Sequence, residues 1–370
     1  MKDILAERLL VRVMGWDRDR VRTEIPLILV LASYKYDEYQ QFSPGMRFVE
    51  SLARWLRQFE DPVEREAAYE LVRDRLIFCS SAEMRHFVEM AYPDHIRPHL
   101  LRQAAEEIKQ DFRRVGRVSQ SKEFGVIRRQ CLFLGLSDGA RIDLFRRSNP
   151  ELSTEQIWQT HELADERVRE LLEKLAEGVA AIRGGRARRA KFTTVVLLDD
   201  FSGSGRSYYM PKDDGTLGGK IAKFHRQVTK PRSKLSRLVD LGQLHLIILL
   251  YVATEQAERP LEESTRTLWD PVGVRWNIEV VQRLPESLRL TPNNCGSLAQ
   301  VVDRYYDDAI HDEHMEKGGT EDSRYGFGGC GLPLVLHHNA PNNSVSLLWS
   351  YEDMKVRGLF PRIRRHKEVP

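Results

Sequence analysis

The chain has 370 residues with 57 Lys+Arg against 54 Asp+Glu, a formal net charge of +3. That length allows a sizeable core and two domains or one enlarged one, and so small a net charge excludes a global field committed to nucleic acid or membrane. No apolar run approaches the roughly 20 residues needed to span a bilayer. The first twenty residues break their apolar positions with charges, which does not fit a signal peptide. Cys79, Cys131, Cys295 and Cys330 lie far apart and form no CxxC, so reduced thiols in a cytoplasmic protein are expected and a structural zinc site is not.

The chain divides by pattern into an N-terminal helical region, residues 1–118, and an α/β region with insertions, residues 119–370. In the first, ILVLASY reads as a strand or as more helix. Phe48, Leu52, Trp55, Leu56 and Phe59, then Tyr69, Val72 and Leu76, recur at helical spacing and predict core-facing helices, with Ser43-Pro44 as a helix start. From about Gly125 the pattern alternates. CLFLGL (131–136) is a short apolar strand ending at a turn. Ser153 and Gln156 fit a capping box, and Ile157, Ala164, Val168, Leu171, Leu175 and Val179 mark one face of an amphipathic helix. TTVVLLDD, LHLIILLYVAT (244–254), WNIEVVQRL (276–284), LPLVLHH (332–338) and SVSLLW (344–349) follow as strands. Continuous apolar strands separated by helical segments predict a buried, mainly parallel sheet.

The stretch VVLLDDFSGSGRS (195–207) carries the chemistry. If the strand stops at Leu198, Asp199 and Asp200 lie beyond its carboxyl end, where open parallel sheets collect ligands. Gly203 and Gly205 permit a tight turn, so backbone N–H groups from Ser202 to Ser207 can converge on a phosphate. Ser204 and Ser207 add hydroxyls. Two carboxylates beside such a loop suit ribose hydroxyls or a magnesium ion better than a bare phosphate. A Walker loop is excluded because Asp200 and Arg206 stand where its first glycine and its lysine belong. A dinucleotide fingerprint lacks its glycines in register.

The arrangement of four apolar residues, two acids, three variable residues and SGRS resembles the phosphoribosyltransferase signature. With RFVESLARWLRQFE, LGLSDGARIDLFRRSNPELSTEQ and YGFGGCGLPLVLHHNAPNNSVSLLW in the same order, the chain from about Tyr39 to Arg362 is similar to phosphoribosyltransferase-like proteins of prokaryotic conflict systems (the PRTase-CE type), including those encoded beside retrons. The resemblance implies a type I phosphoribosyltransferase-like fold, with a mainly parallel sheet flanked by helices. It implies an antiphage defence effector acting with Mg²⁺ on a phosphoribosyl compound such as phosphoribosyl diphosphate, a nucleotide or a nucleoside. Asp199 and Asp200 would serve as catalytic residues and metal ligands at the ribose, and Ser202, Gly203, Ser204, Gly205, Arg206 and Ser207 would surround the 5′-phosphate. It also implies a partner, a retron reverse transcriptase with its RNA-linked DNA. The alternative is a non-catalytic ribose-phosphate sensor docked on that assembly.

By analogy, Ser137, Asp138, Gly139 and Arg141 occupy a pyrophosphate loop, in which Asp138 is unfavourable and Arg141, Arg146 and Arg147 are favourable. Two departures stand out. Serines replace threonines at 204 and 207, and YYMPKDDGTLGGK interrupts the helix that should follow the loop. His338 and Asn339 read as substrate-binding groups at another strand end, or as part of a tight turn. HDEH (311–314) lacks metal-site spacing and reads as an exposed loop. Lys220, Lys223, Arg226, Lys230, Arg232, Lys234 and Arg237 lie in a segment without acids, readable as a nucleic-acid contact or as a solvated basic face. RARRAK and RIRRHK are smaller basic clusters.

Overall fold

The computed structural model describes residues 3–159, 165–186, 188–211 and 215–363. Among them the strands are β1 (Ile77–Cys79), β2 (Cys131–Gly135), β3 (Ile157–Trp158), β4 (Thr194–Ser202), β5 (Met210–Pro211), β6 (Leu217–Gly218), β7 (His245–Thr254), β8 (Arg275–Leu284) and β9 (Leu334–Leu336). The chain folds into two compact units. One joins residues 1–84 to 285–370, and the other is residues 85–284. The expected division at 118/119 therefore does not coincide with either junction.

The physical reason lies in the first unit, where the end of the chain completes the core of its beginning. The helix Phe48–Leu56 is buried along nearly its whole length. Its Trp55 indole N–H donates to the Leu347 carbonyl at 2.9 Å, and Ser51 Oγ donates to Leu359 O at 2.7 Å. Tyr39 donates to the carbonyls of Phe360 and Pro361. β1 pairs in parallel with β9, so LPLVLHH contributes to this unit and not to the main sheet. SVSLLW forms no strand: Ser346–Trp349 is a helical turn and Ser344 makes one bridge to Leu332. ILVLASY is helical, within Arg18–Tyr34. Ser43-Pro44 does not start a helix; Phe48 does, its N–H bonded by the Asp37 carboxylate at 2.7 Å. The predicted aromatics Phe48, Trp55, Phe59 and Tyr69 are buried.

In the second unit β3-β2-β4-β7-β8 form one sheet, and every pairing in it is parallel. Leu132, Leu134, Val195, Leu197, Leu246 and Ile248 face helices Asp165–Arg183, Lys220–Thr229, Lys234–Leu238 and Glu255–Trp269. The alternate residue Phe133 meets Tyr92 and Phe145 on the other face. Period-two alternation buried on both sides is what makes these strands read as unbroken apolar runs. The Ser153–Gln156 box is present, yet it caps a 3₁₀ turn ahead of β3. Ala164 lies outside the described residues, and Val168, Leu171 and Leu175 are buried as expected. Among the described residues no helix is long and apolar enough to cross a membrane.

Numbered along the chain, the five sheet strands run second, first, third, fourth, fifth across the sheet. The order reverses between β2 and β4, and ligands of open α/β sheets sit outside the carboxyl ends at such a reversal.

Replacing Trp55 with Ala should cost about 3–5 kcal/mol, the usual range for deleting a buried tryptophan. Urea denaturation compared with wild type measures it.

Candidate functional site

Two loops leave the sheet at the switch point, one after β2 and one after β4. The β2 loop makes a 3₁₀ turn at Asp138–Ala140 and places Arg141 in the left-handed region, φ 49°, before the helix Ile142–Ser148. A non-glycine residue held there is strained by about 1–3 kcal/mol, and such strain concentrates at functional turns. Gly139 lies directly against the second acid: a Cβ on it would stand 2.1 Å from Asp200 Oδ2. The Tyr251 hydroxyl pins the turn by donating to Ala140 O at 2.8 Å. The Asp138 carboxylate accepts from the Gln159 amide at 3.0 Å. Arg146 is spent on the Ile157 carbonyl, and Arg147 pairs with Asp143. Of the three cations expected here, Arg141 is the one seated in the loop itself.

β4 does not stop at Leu198. It runs through both acids to Ser202. Consecutive strand residues point to opposite faces, so the two carboxylates separate. Asp199 falls on the face covered by the helix Lys220–Thr229 and is fully buried. It accepts from Lys220 Nζ at 2.6 Å, from the Tyr208 hydroxyl at 2.8 Å and from the Ser137 hydroxyl. Asp200 is half-buried and packs on the β2 loop. The expectation that the strand stops before both acids is corrected: it runs through them and turns their carboxylates to opposite faces.

Burial, and after it the neighbouring Asp200 charge, pushes the Asp199 carboxyl up; Lys220 and Ser137 oppose the shift. Burial, followed by the two acids, also raises the Tyr208 phenol, which therefore stays protonated and donating. Lys220 occupies the first turn of its helix, where a cation works against the helix dipole. Its placement answers Asp199, not helix stability. Lys220 is thus a member of the acid cluster and not part of an open basic face.

This donor set does not fit a magnesium ion on Asp199. One of its oxygens already accepts from both an ammonium and a phenol, and the other accepts from a serine. Among the described residues no three His, Cys, Asp or Glu side chains gather as a ligand set. Asp200 remains as a single carboxylate at the switch point.

The turn after β4 is held against the start of the helix Glu255–Trp269 at Gly203 and Gly205. Among the described residues Ser202 Oγ is buried with no hydrogen-bond partner, an unmet demand that costs about 1–3 kcal/mol. The Gly203 carbonyl accepts from Thr254 Oγ1 at 2.5 Å, and the same threonine caps the helix Glu255–Trp269. Gly205 has φ 73°, and a Cβ there would stand 2.8 Å from Ala257 O. Ser204 Oγ accepts from the Arg206 N–H at 3.4 Å.

The interruption that put the supporting helix in doubt is a short excursion. β5 and β6 pair antiparallel, and the chain returns at Gly219, φ 92°. The N–H groups of Lys220 and Ile221 then donate to Ser207 O and Tyr208 O at 3.3 and 3.2 Å. The helix therefore resumes on the turn itself, with the hairpin spliced between them. No spacing in the sequence signals this closure; Gly218-Gly219 before an amphipathic basic run was the available sign.

The remaining predicted residues lie elsewhere. His338 and Asn339 belong to the other unit, where the His338 carbonyl and Asn339 Oδ1 both accept from the Gln41 side-chain amide. In the basic segment Arg226 donates to Leu217 O, and Arg237 pairs with Asp165 at 2.6 Å. Lys223, Lys230, Arg232 and Lys234 are exposed. In the HDEH stretch, His311 bonds Ser323 at 2.6 Å.

A parallel sheet with an acid-bearing strand and a second polar loop at its switch point has the arrangement of a phosphoribosyltransferase-like fold. The PRTase-CE family model matches residues 52–362, and the chain belongs to that family. The match runs through both compact units. No curated protein and no solved structure matches the chain.

Lys220→Met should destabilise the protein by about 2–3 kcal/mol at neutral pH, below the full range for breaking a buried pair because the Lys220 side chain is 37% exposed. The Asp199 carboxyl is harder to ionise folded than unfolded. The folded state therefore binds more protons between the two values, and stability falls as pH rises through that window. The deficit of Lys220→Met should accordingly shrink as pH is lowered toward the ordinary carboxylate range. Adding Asp199→Asn should remove most of it at neutral pH. Urea titrations across pH measure both effects.

Proposed function

We propose that residues 85–284 bind a phosphoribosyl compound at the β2/β4 switch point and act on it as a transferase. The observation carrying this reading is the meeting of the two loops, with Gly139 against Asp200. Asp200 bonds the ribose hydroxyls. The turn 203–207 receives the 5′-phosphate through backbone N–H groups, the Ser204 and Ser207 hydroxyls and Arg206, with the spliced helix behind it. The unsatisfied Ser202 hydroxyl stands at the edge of this cradle.

In the reaction an acceptor attacks the anomeric carbon while the bond to the diphosphate breaks. Positive charge develops on the ribose ring, and the leaving diphosphate takes up the bonding electrons. Arg141 faces the diphosphate side. Asp199 is a positioning residue: through Ser137 and Tyr208 it holds the two loops in register. On this reading Lys220 supplies at Asp199 the positive charge otherwise expected from magnesium. The family membership supports placing this chemistry in an antiphage defence effector, with a reverse transcriptase and RNA-linked DNA as partners.

A second reading, a ribose-phosphate sensor without turnover, is favoured by one observation: Asp199 is buried and committed to Lys220, Tyr208 and Ser137.

Calorimetry with phosphoribosyl diphosphate tests the site. Wild type should bind, and Asp200→Asn should weaken binding about 10- to 100-fold, the equivalent of one or two charge-assisted hydrogen bonds, with the melting curve preserved. Gly139→Ala should act in the same direction by displacing the Asp200 carboxylate. No binding by folded wild type overturns the proposal. Release of pyrophosphate separates the transferase from the sensor.

A further inference from the structure

The opposite end of the same sheet carries a cavity of about 460 Å³ lined by His99 and His245, and a second of about 600 Å³. The second opens where β2, β4 and β7 begin, and Gln130, Thr193 and Gln243 line it. At ~3.3 Å per residue, the length of β4 puts it roughly 25 Å from the acid-bearing turn. Its rim holds Arg183, Arg186, Arg188, Arg189 and Lys191, against one acid, Asp240.

Those four arginines are exposed, and among the described residues none makes a hydrogen bond or ion pair. Elsewhere in this unit comparable arginines are paired, as Arg237 with Asp165, Arg259 with Glu263 and Arg283 with Glu258. Cations do favour helix C-termini, but that effect fades beyond the last turn. It accounts for Arg183, the last residue of its helix, and not for the arginines that follow Gly184 and Gly185. Lys191 Nζ donates to the carbonyls of Ser236 and Val239. The run 183–191 is thereby laid beside the helix Lys234–Leu238, so two basic stretches far apart in sequence share one surface. Lys234, at the start of that helix, is exposed.

We propose that this concave surface docks the phosphodiester backbone of a nucleic-acid duplex. The charge density calls for several phosphates. No aromatic ring lines the cavity among the described residues. A free nucleotide would lack a platform for its base, and a single strand would lack the stacking surfaces that such strands use. A duplex offers regularly spaced phosphates with its bases already stacked, and asks only for placed cations. The centre of the docking surface is Arg186, Arg188, Arg189 and Lys191. The segment 220–237 is partly engaged: Lys220 is committed to Asp199 and Arg237 to Asp165.

The test is fluorescence anisotropy with a labelled 20-base-pair duplex of mixed sequence, as DNA and as RNA, and with the matching single strand, over a range of salt. Wild type should bind a duplex at 50 mM salt at least tenfold more tightly than the single strand. Arg186→Ala/Arg188→Ala/Arg189→Ala should lose at least tenfold in affinity, and the slope of log K against log salt should fall in magnitude by about 2–3, near 0.9 for each phosphate that is no longer neutralised. The triple lysine variant at the same positions should keep most of the binding, which separates charge from local structure. Phosphoribosyl diphosphate binding should be unchanged in both variants. No duplex binding by wild type, equal binding by the alanine variant, or a preference for the single strand overturns the proposal.

Discussion

The second unit is organised around one buried carboxylate. Asp199 carries its charge into the interior, and three segments are arranged to meet it: the loop after β2 through Ser137, the turn after β4 through Tyr208, and the helix behind that turn through Lys220. A charge taken out of water is costly unless it is paired and its remaining lone pairs are bonded. The need to satisfy Asp199 therefore fixes how the two loops of the switch point stand to each other. Asp200, one residue on, is turned to the opposite side of the strand and lies against Gly139.

The same constraint explains the interrupted helix. After the glycine turn the chain leaves for a small antiparallel strand pair before the helix Lys220–Thr229 begins. Lys220 can reach Asp199 only if the helix starts where the turn ends. The N–H groups of Lys220 and Ile221 close that gap by bonding to Ser207 and Tyr208. Gly219 is required at the splice: its φ of 92° and the Tyr208 carbonyl, 2.4 Å from where a Cβ would stand, leave no room for a side chain. The hairpin is thus an insertion that the site accommodates without losing its support.

Much of this was legible from residue order. The apolar runs at 131–136, 194–198, 244–254 and 276–284 became the parallel sheet, because strands buried on both faces need no polar alternation. The acid pair and the glycine turn were picked out by their chemistry and the Ser137–Arg141 loop by analogy; Ser137 bonds Asp199, and Gly139 lies against Asp200. What misled was length. Two acids after an apolar run look like the start of a loop, yet β4 continues through them, since Lys220, Tyr208 and Ser137 make a buried aspartate tolerable there. Likewise LPLVLHH has the composition of a sheet strand, but its partner is β1 in the other unit, a pairing that no local pattern encodes.

By itself the sequence determined the class of the fold and the family, and it marked the candidate site, because apolar periodicity and a signature of small residues beside acids are local properties. Tertiary structure alone decided the division of labour between Asp199 and Asp200, the recruitment of Lys220 from a basic stretch into the acid cluster, the return of residues 285–363 to the N-terminal helices, and the meeting of the 183–191 run with the helix Lys234–Leu238. Each of these is a contact between segments distant in sequence. Each is set by where a charge or a hydrogen-bonding group must be satisfied once the sheet has formed, a condition that exists only in three dimensions.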